Sequence, residues 1–400
     1  MPSTLQQELQ QQFDALKPDD PNYATATVDV ILAAARRGRA SDVHLVPAET
    51  GMTVSFRIDG VLQEVAALPR QMSGNVVSRL KVLAELLTYQ TEVPQEGRIR
   101  DTEDDVEMRV STFPTLYGEK AVIRLFVATG RYRFIDDLGL PETVAATLQA
   151  TLSETGGAIL ATGPAGSGKT TTVYACLREL ARACPTPRSL ATLEDPIETV
   201  IEGAAQSQIR PAAGFDYQTG LRSLLRQDPE VILVGEIRDK PTAEIVFQAA
   251  LTGHLVLTTF HAGSAAEAVG RLLDMGIEPY QLRSGLLCVL NQRLVRRLCR
   301  CAIENNSKES RMGLDVERVF EPAGCQTCGG TGYHDRMLLA EMLLPGGEQT
   351  GAAILSRSDT REIETRAFQA GMITRWQHAC EAVSTGRTSP AEIRRVLGFR

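Results

Sequence analysis

A glycine-rich stretch near the middle of the chain constrains the fold more than any other feature of the sequence. Residues 163–170 read GPAGSGKT and match the phosphate-loop pattern G-x-x-x-x-G-K-[ST] at every fixed position. The short apolar run GAILAT precedes the stretch, and the helical pattern KTTTVYACLRELARA follows it. Because this motif requires a strand, a glycine turn and a helix in that order, the sequence predicts a nucleotide-binding α/β domain.

The residues of this loop are the predicted contacts to the nucleotide. Backbone N–H groups of a glycine-rich turn can all point at one anion, and the N-terminus of the next helix adds a partial positive charge. We expect Lys169 to contact the β- and γ-phosphates and the Thr170 hydroxyl to bind Mg²⁺. The alternative is a glycine-rich turn that binds nothing, which the complete motif disfavours. The predicted nucleotide-binding residues are Gly163, Pro164, Ala165, Gly166, Ser167, Gly168, Lys169, Thr170 and Thr171.

Composition argues against several classes of protein. The chain has 400 residues, of which 43% are hydrophobic and 23% charged, as in globular proteins with a sizeable core. A formal net charge of −7 gives no support for binding to nucleic acid or to an anionic membrane. The sequence contains no apolar run long enough to span a bilayer, and its polar N-terminus lacks the core of a signal peptide. We therefore expect a cytoplasmic protein, for which any membrane role would be peripheral and through a partner.

Hydrophobic periodicity divides the chain into segments. The first domain alternates apolar and polar residues in several stretches, which predicts an α+β domain with a mostly antiparallel sheet. In the second domain strands alternate with helices, which predicts a parallel sheet with helices on its faces. The predicted segments are a mobile tail or short polar helix (1–22), the α+β domain (23–127), a linker (128–137), the phosphate-loop core (138–290), a tetracysteine subdomain (291–340) and a helical region (341–400).

Two acidic clusters follow predicted strands of the second domain. Glu236 follows the apolar run VILV, and Glu194 follows a short apolar run in LATLEDPIE, with Asp195 and Glu198 beside it. Hydrolysis needs a second contact to Mg²⁺ and a group that orients and deprotonates water. Because ligands bind at the carboxyl ends of parallel strands, Glu194 and Glu236 are both candidates for the general base, and Glu236 is also a candidate Mg²⁺ ligand. The alternative for each cluster is a solvated loop.

Two histidines bracket the predicted strand LVLTTF. His261 follows the strand, which places it where phosphate binds and predicts that it hydrogen-bonds the γ-phosphate or senses its loss. His254 precedes the strand, and we interpret it as a packed structural histidine.

Four cysteines form two close pairs that flank a polar loop, Cys299-Arg-Cys301 and Cys325-Gln-Thr-Cys328. Four thiolates in two pairs suit tetrahedral zinc, so the sequence predicts a structural Zn²⁺ site. The alternative is that they are small packed residues without metal. The remaining cysteines lie in helical patterns and are predicted to be merely buried: Cys176, Cys184, Cys288 and Cys380.

Four blocks occur in a fixed order: GPAGSGKTTT, LATLEDPIE, RQDPEVILVGEIRD and TGHLVLTTFHAGSA. Together they resemble the Walker A, Asp box, Walker B and His box of the ATPase family of type II secretion and type IV pilus assembly. ASDVHLVP, RVSTFPTLYGEKAVIRL and GCQTCGGTGYHDR are similar to that family too, so the resemblance covers about residues 24–400. It implies a C-terminal RecA-like P-loop domain preceded by a smaller, PAS-like α+β domain.

The resemblance also implies a motor. Members form hexameric rings that bind ATP between their two domains and act on an inner-membrane platform protein to assemble a pseudopilus or pilus. Arginines of the first domain reach the phosphates in this family, and the matching positions here are Arg109 and Arg124. The alternative is that both are surface arginines on strands. Arg238 is interpreted as a structural or inter-domain ion-pair partner.

Three features depart from the family pattern. The first cysteine pair is C-x-C where assembly members carry C-x-x-C, and FHAGSA replaces the usual LHTN around His261. Many members also carry a further N-terminal domain, whereas here the first domain begins near the start of the sequence. We therefore expect docking through residues 1–22 or a separate adaptor.

Three alternative functions remain open at this point. A pilus-retraction motor is disfavoured by the cysteine pairs, which retraction members generally lack. A type IV secretion-like translocation ATPase gains no support from the acidic composition. A nucleotide-binding scaffold with vestigial hydrolysis is disfavoured by the intact Lys169, Glu194 and Glu236.

Overall fold

Two structural units make up the chain. The computed structural model describes residues 4–17, 19–101, 106–125, 131–183 and 188–399. Each unit draws on three stretches: Met1–Thr129, Leu298–Ile303 and Glu321–Asp335 in unit 1, and Gly130–Arg297, Glu304–Phe320 and Arg336–Arg400 in unit 2.

Unit 1 contains a six-stranded sheet of order β3-β2-β1-β6-β5-β4, in which every neighbouring pair is antiparallel. This confirms the predicted antiparallel sheet. Asp59 and Gly60 form the tight turn between β2 and β3, with positive φ at both residues, as Asp-Gly turns favour. The strands are β1 (Asp42–Pro47), β2 (Gly51–Ile58), β3 (Val61–Pro69), β4 (Gln95–Asp101), β5 (Val106–Thr115) and β6 (Gly118–Leu125).

Three helices contribute to the core of unit 1 with the apolar side chains of the sheet. Alternation along the strands buries residues such as Leu45, Phe56 and Ile123, and the helices cover them. The N-terminal stretch forms a helix whose Leu9 and Phe13 are buried in the same core. The helices are α1 (Thr4–Ala15), α2 (Tyr23–Arg37) and α3 (Arg70–Leu83).

Unit 2 is built on a seven-stranded sheet of order β15-β12-β7-β11-β10-β8-β9. The neighbouring strands from β12 to β9 in that order all pair in parallel, which confirms the predicted parallel sheet. The strands from β7 onward are β7 (Gly157–Thr162), β8 (Leu190–Glu194), β9 (Ala204–Gln208), β10 (Val231–Val234), β11 (Leu255–Phe260), β12 (Leu286–Leu298), the short pair β13 (Ile303–Glu304) and β14 (Phe320–Glu321), and β15 (Tyr333–Leu343).

The part of unit 2 that the structure describes contains ten α-helices. In the described ranges, every helix is too short or too polar to be a transmembrane span. The helices are α4 (Glu142–Leu152), α5 (Lys169–Ala183), α6 (Tyr217–Leu224), α7 (Lys240–Leu251), α8 (Ala265–Asp274), α9 (Pro279–Gly285), α10 (Glu348–Leu355), α11 (Thr360–Gln369), α12 (Arg375–Ser384) and α13 (Pro390–Leu397).

Parallel pairing brings the loops that follow four central strands to one edge of the sheet in unit 2. Every residue of β7, β8, β10 and β11 is buried, as expected for strands covered on both faces. Their carboxyl ends lie side by side because the strands run in the same direction. We call this place the phosphate edge and define it by the loops 163–169, 195–199, 235–238 and 261–264.

A buried carboxylate fixes the last helix of unit 2 to the sheet. Glu392 of α13 is fully buried and accepts hydrogen bonds from the backbone N–H of Arg296 in β12 at 2.9 Å and from its guanidinium at 2.8 and 2.9 Å. Arg395 donates to the same carboxylate at 2.7 Å. Burial alone raises the pKa of Glu392, but the hydrogen bonds from Arg395 and Arg296 outweigh burial and lower it overall.

We expect Glu392→Ala to lower the free energy of unfolding of unit 2 by about 3 kcal/mol, because it removes the buried carboxylate that accepts hydrogen bonds from Arg296 and Arg395. Since the folded-state pKa of Glu392 is lowered, its contribution is present above the unfolded pKa of about 4.3 and is lost as the pH falls through the folded pKa. Urea unfolding from pH 7 down to pH 3 measures both effects. Glu381→Ala removes an exposed ion pair with Arg387 and should cost less than about 1 kcal/mol. Equal losses in the two variants would contradict this account.

Candidate nucleotide-binding and hydrolysis site

The predicted phosphate loop lies between β7 and α5 and begins the phosphate edge. Gly163, Gly166 and Gly168 all have positive φ, at 146°, 73° and 90°. A Cβ on Gly163 would lie 2.5 Å from Ser167 Oγ and 2.6 Å from the carbonyl oxygen of Gln292, so a larger residue cannot replace it. The loop therefore has the backbone that a phosphate cradle requires.

Lys169 lies at the first position of α5, and its ammonium group is held at the loop. Its Nζ donates to the carbonyls of Gly163 at 3.0 Å and Pro164 at 2.9 Å. Burial lowers the pKa of Lys169, while the negative charge of Glu236 opposes that shift. Ser167 Oγ is buried and has no hydrogen-bond partner among the described residues. A buried ammonium, an unpaired hydroxyl and a helix N-terminus at one loop fit a phosphate group.

Glu236 follows β10 at the phosphate edge, as predicted. Its Oε2 lies 3.6 Å from His261 Nε2, and its Oε1 accepts a hydrogen bond from Arg238 Nε. Arg238 also donates through Nη1 to Asp195 Oδ2 at 3.3 Å, so Arg238 is an ion-pair partner within unit 2. Three strand ends thus contribute to one polar chain: Asp195, Arg238, Glu236 and His261.

Gly235 lets this strand end approach the neighbouring elements. Its N–H donates to Leu193 O at 2.8 Å, and its carbonyl accepts from Thr259 Oγ1 at 2.7 Å. A Cβ on Gly235 would lie 2.7 Å from the hydroxyl oxygen of Tyr217 in α6. A glycine before Glu236 is unusual for a P-loop protein. Here close packing against Tyr217 leaves no room for a side chain at this position.

His261 follows β11 and faces the same charges. Burial lowers the pKa of His261, as does the positive charge of Lys169, and Glu236 opposes both. The imidazole is therefore predominantly neutral near pH 7 and can accept or donate a hydrogen bond. His254, at the entry of β11, has its Nδ1 3.1 Å from the carbonyl of Ala249.

Glu194, the other predicted candidate base, is enclosed by protein. It is 3% exposed. Its Oε1 accepts hydrogen bonds from Thr192 Oγ1 at 2.6 Å and Gln206 Nε2 at 3.2 Å, and its Oε2 accepts from the hydroxyl of Tyr174 in α5. Burial raises the pKa of Tyr174, and the hydrogen bond to Glu194 raises it further. Glu194 thus joins β8, β9 and α5 through three donors.

Glu198, which the sequence places beside Glu194, also lies at the phosphate edge, in the loop after β8. It is exposed, and its charge, like that of Glu236, acts to raise the pKa of Lys169. Its backbone N–H donates to Tyr174 Oη at 3.1 Å, which ties this loop to the same hydroxyl that binds Glu194. The available signal was the second glutamate of LEDPIE, four positions after the first.

Mg²⁺ has suitable donors at the phosphate edge. Thr170 is half-buried in the first turn of α5, and Glu236 and Glu198 supply carboxylates that act on the adjacent Lys169. Hydroxyl and carboxylate oxygens are the ligands that Mg²⁺ prefers. The residues present therefore fit the ion.

Arg109 and Arg124 lie opposite each other on β5 and β6 of unit 1. Arg124 Nε lies 3.1 Å from Asp42 Oδ1 of β1, and its side chain is 65% exposed. Arg57 Nε of β2 lies 3.3 Å from the other oxygen of Asp42. The Asp42 carboxylate therefore orients Arg124 and leaves most of its guanidinium accessible.

The four predicted zinc ligands, Cys299, Cys301, Cys325 and Cys328, come together within unit 1, with all four sulfur atoms within 4.8 Å of one another. The closest Sγ–Sγ distances are 3.7, 3.8 and 3.9 Å. Four thiolates about 2.3 Å from one Zn²⁺ in a tetrahedron are about 3.8 Å apart, so the cluster fits zinc. Backbone N–H groups of Cys325 and Gly332 point at Cys328 Sγ, as around a thiolate ligand.

The remaining cysteines have no part in this cluster. Cys176 and Cys288 are buried in the core of unit 2, and burial raises the pKa of both, that of Cys288 to about 12. Cys380 is half-buried in α12. Cys184 lies outside the described residues.

A phosphate loop, a strand-end carboxylate and a neutral histidine on a parallel sheet define a P-loop ATPase. The chain belongs to the type II/IV secretion system protein family, whose sequence model matches residues 18–395. Its activity is therefore the hydrolysis of ATP, as the sequence motifs predicted.

Known proteins resemble the chain over most of its length. Type II secretion system protein E of Dickeya dadantii is 40% identical over 400 residues, which cover 98% of this chain and 79% of that protein. The type IV pilus assembly ATPase PilB of Thermus thermophilus is 39% identical over 386 residues, which cover 94% of this chain and 43% of that protein. The structure of the ATPase DotB of Legionella pneumophila has a TM-score of 0.69 over 94% of this chain and 97% of its own, at 21% identity, and shows a shared fold.

We expect Glu194→Gln to destabilise unit 2 rather than to remove a catalytic group. An amide NH₂ would face hydroxyl or amide donors that the carboxylate now satisfies, and each unpaired buried group costs about 1–3 kcal/mol. Thermal melting would show a lowered transition, and activity per folded molecule would stay close to wild type. Glu202→Gln, an exposed change in the same region, is the control. A stably folded Glu194→Gln protein that binds ATP without hydrolysing it would contradict this assignment.

Proposed function

We propose that this chain is a cytoplasmic ATPase motor that drives assembly of a type II secretion pseudopilus or a type IV pilus. The observation that carries the proposal is the arrangement of Lys169, Glu236 and His261 at the phosphate edge of a chain of this family. Two relatives at about 40% identity are named a type II secretion protein and a pilus assembly ATPase. Their names support the proposal that ATP hydrolysis is coupled to the assembly of a pseudopilus or pilus.

The residues of the phosphate edge have distinct proposed roles. Backbone N–H groups of the loop and Lys169 hold the phosphates, and Glu236 orients and deprotonates the attacking water. His261 hydrogen-bonds the γ-phosphate and responds to its loss. Thr170 and Glu236 would hold Mg²⁺, the latter directly or through water. Bound Mg²⁺ neutralises charge on the β- and γ-phosphate oxygens.

Two acidic residues near Glu236 are assigned supporting roles. We infer that Glu198 helps to hold the attacking water or the hydration shell of Mg²⁺, since it is exposed and acts on Lys169. Glu194 fixes the loop that carries Glu198, because both are tied to the Tyr174 hydroxyl.

Arg109 and Arg124 are proposed to stabilise charge on the γ-phosphate. Arg109 and Arg124 are paired in the register of β5 and β6, which supports a joint action on the same phosphate. The ion pair with Asp42 orients Arg124. A fixed guanidinium suits charge spread over several phosphate oxygens. Release of this contact after hydrolysis would let unit 1 move, which gives the motor its stroke.

The proposed assembly is a homo-hexameric ring that acts on an inner-membrane platform protein. This proposal rests on the family to which the chain belongs. Contact with the membrane would be peripheral and through that partner, and the negative net charge of −7 gives no reason to expect a nucleic acid.

The test of this function is ATP turnover per chain against protein concentration. We expect turnover to rise steeply as subunits associate by mass action, because the ring is the proposed active species. Arg124→Ala should bind ATP as the wild type does and turn it over about 10³-fold more slowly, as when an arginine finger is lost.

Arg57→Ala is the matched control for Arg124→Ala. It removes the other arginine of Asp42 on the same face of the sheet and should leave turnover close to that of the wild type. Turnover per chain that does not change with concentration would contradict the proposed ring. Full turnover by Arg124→Ala would contradict the proposed role of the arginine.

The cysteine cluster is proposed to bind one structural Zn²⁺. Protein purified from zinc-replete cells should contain about one zinc per chain by elemental analysis, and Cys301→Ser should lose it and melt at a lower temperature. Cys380→Ser, outside the cluster, should keep its zinc. Wild-type protein without zinc would show that the cysteines are packed residues only.

A further inference from the structure

The turn that follows His261 is held by side chains from distant parts of unit 2. We call residues 261–264 the His261 turn. Two of its carbonyls each accept a hydrogen bond from a side chain. Arg271 of α8 donates to the carbonyl of His261, and Asn291 of β12 donates to that of Ala262 at 3.2 Å. Asn291 is fully buried and also donates to Thr162 Oγ1 at the end of β7. The turn is therefore tied to the strand that precedes the phosphate loop.

The carbonyl of Gly263 also accepts hydrogen bonds, and it does so from two arginines. Arg293 Nη2 of β12 donates to it at 2.7 Å, and Arg375 Nη1 of α12 donates to it as well. The N–H of Gly263 donates to Glu267 Oε2 at 2.8 Å. Two guanidinium groups on one carbonyl is an arrangement that helix packing alone does not need.

Glu341 completes the arrangement from the other side of the turn. It is 1% exposed at the end of the sheet, in β15. Its Oε1 accepts the N–H of Ala265 at 2.8 Å, and its Oε2 accepts Arg375 Nε at 3.0 Å and the Arg375 backbone N–H at 3.3 Å. Arg375 thus bridges Glu341 and Gly263, and the pair holds both sides of the His261 turn. We call Glu341 and Arg375 the C-terminal clamp.

Because the clamp holds the turn that follows His261, it can affect the contact between His261 and Glu236. His261 Nε2 lies 3.6 Å from Glu236 Oε2, so a small shift of the turn changes the contact between histidine and carboxylate. A displacement of about 1 Å between reacting groups can cost about 100-fold in rate. The phosphate loop has an internal hydrogen bond, from the Ser167 N–H to the Pro164 carbonyl at 3.3 Å, and it continues directly into α5. We therefore expect the clamp to affect the histidine more than nucleotide binding.

We propose that Glu341 and Arg375 are positioning residues that set His261 against Glu236. This inference rests on the proposed role of the phosphate edge in hydrolysis. It assigns to β15 and α12, the last strand and a late helix of the chain, a direct effect on the chemical step.

Arg375→Lys is the first test. A lysine keeps a positive charge for Glu341, but one ammonium group cannot reproduce the bridge of a guanidinium to both Glu341 and Gly263. We expect kcat to fall about tenfold while the affinity for ATP stays within about twofold, which is the signature of a lost transition-state contact.

A second measurement reads the position of His261 without turnover. The rate at which diethyl pyrocarbonate modifies each histidine, followed by peptide mass spectrometry, should rise severalfold at His261 in Arg375→Lys and stay unchanged at His254. A double variant, Glu341→Gln with Arg375→Met, removes both charges together and, like Arg375→Lys, should lower kcat and raise the modification rate of His261. Arg387→Ala, a change at a half-buried residue that follows α12 and pairs with the exposed Glu381, should alter neither.

Unchanged kcat and an unchanged His261 modification rate, in either variant that melts as a folded protein, would overturn the clamp. A uniform loss of ATP affinity and turnover would also overturn it, because that pattern indicates a general structural role. If the wild type itself fails to hydrolyse ATP, the proposed function fails, and the modification rate of His261 still decides the clamp.

Discussion

The parallel pairing of β7, β11, β10 and β8 is the constraint on which the rest of unit 2 depends. Four buried apolar strands in one direction bring four loops to a single edge, and each loop carries a different functional group. Lys169, Glu236 and His261 are 25 to 92 positions apart in the sequence, yet the parallel pairing brings them to the same edge. The same constraint explains Gly163 and Gly235, since a Cβ at either position would collide with a neighbouring element.

Burial distinguishes the two strand-end carboxylates at this edge. Glu194 is buried and accepts three side-chain hydrogen bonds. Glu236 is partly exposed beside His261, and its negative charge acts to raise the pKa of Lys169. A carboxylate with all its near donors inside the protein stabilises a loop, and one that faces a bound phosphate can move a proton. Glu198, on the loop that Glu194 supports, is the second carboxylate in the field of Lys169.

Much of this could be predicted from the sequence, because the signals were local. Apolar runs identified the central strands, and the glycine spacing identified the phosphate loop. The distinction between Glu194 and Glu198 could not be predicted, because it depends on the path of a turn and on the Tyr174 hydroxyl from another element. The C-terminal clamp on the His261 turn was equally out of reach, since Arg375 lies 112 positions from Gly263 and only the folded chain brings them together.

The most direct test of the account compares ATP binding and ATP turnover in Glu236→Gln. The account predicts that this variant binds ATP with wild-type affinity and loses turnover by at least about 10²-fold, because binding depends on the loop and Lys169 while proton transfer depends on Glu236. Glu198→Gln, measured alongside, should retain more turnover than Glu236→Gln. Wild-type turnover in Glu236→Gln would contradict the account, and loss of turnover in Glu198→Gln alone would move the general base to Glu198.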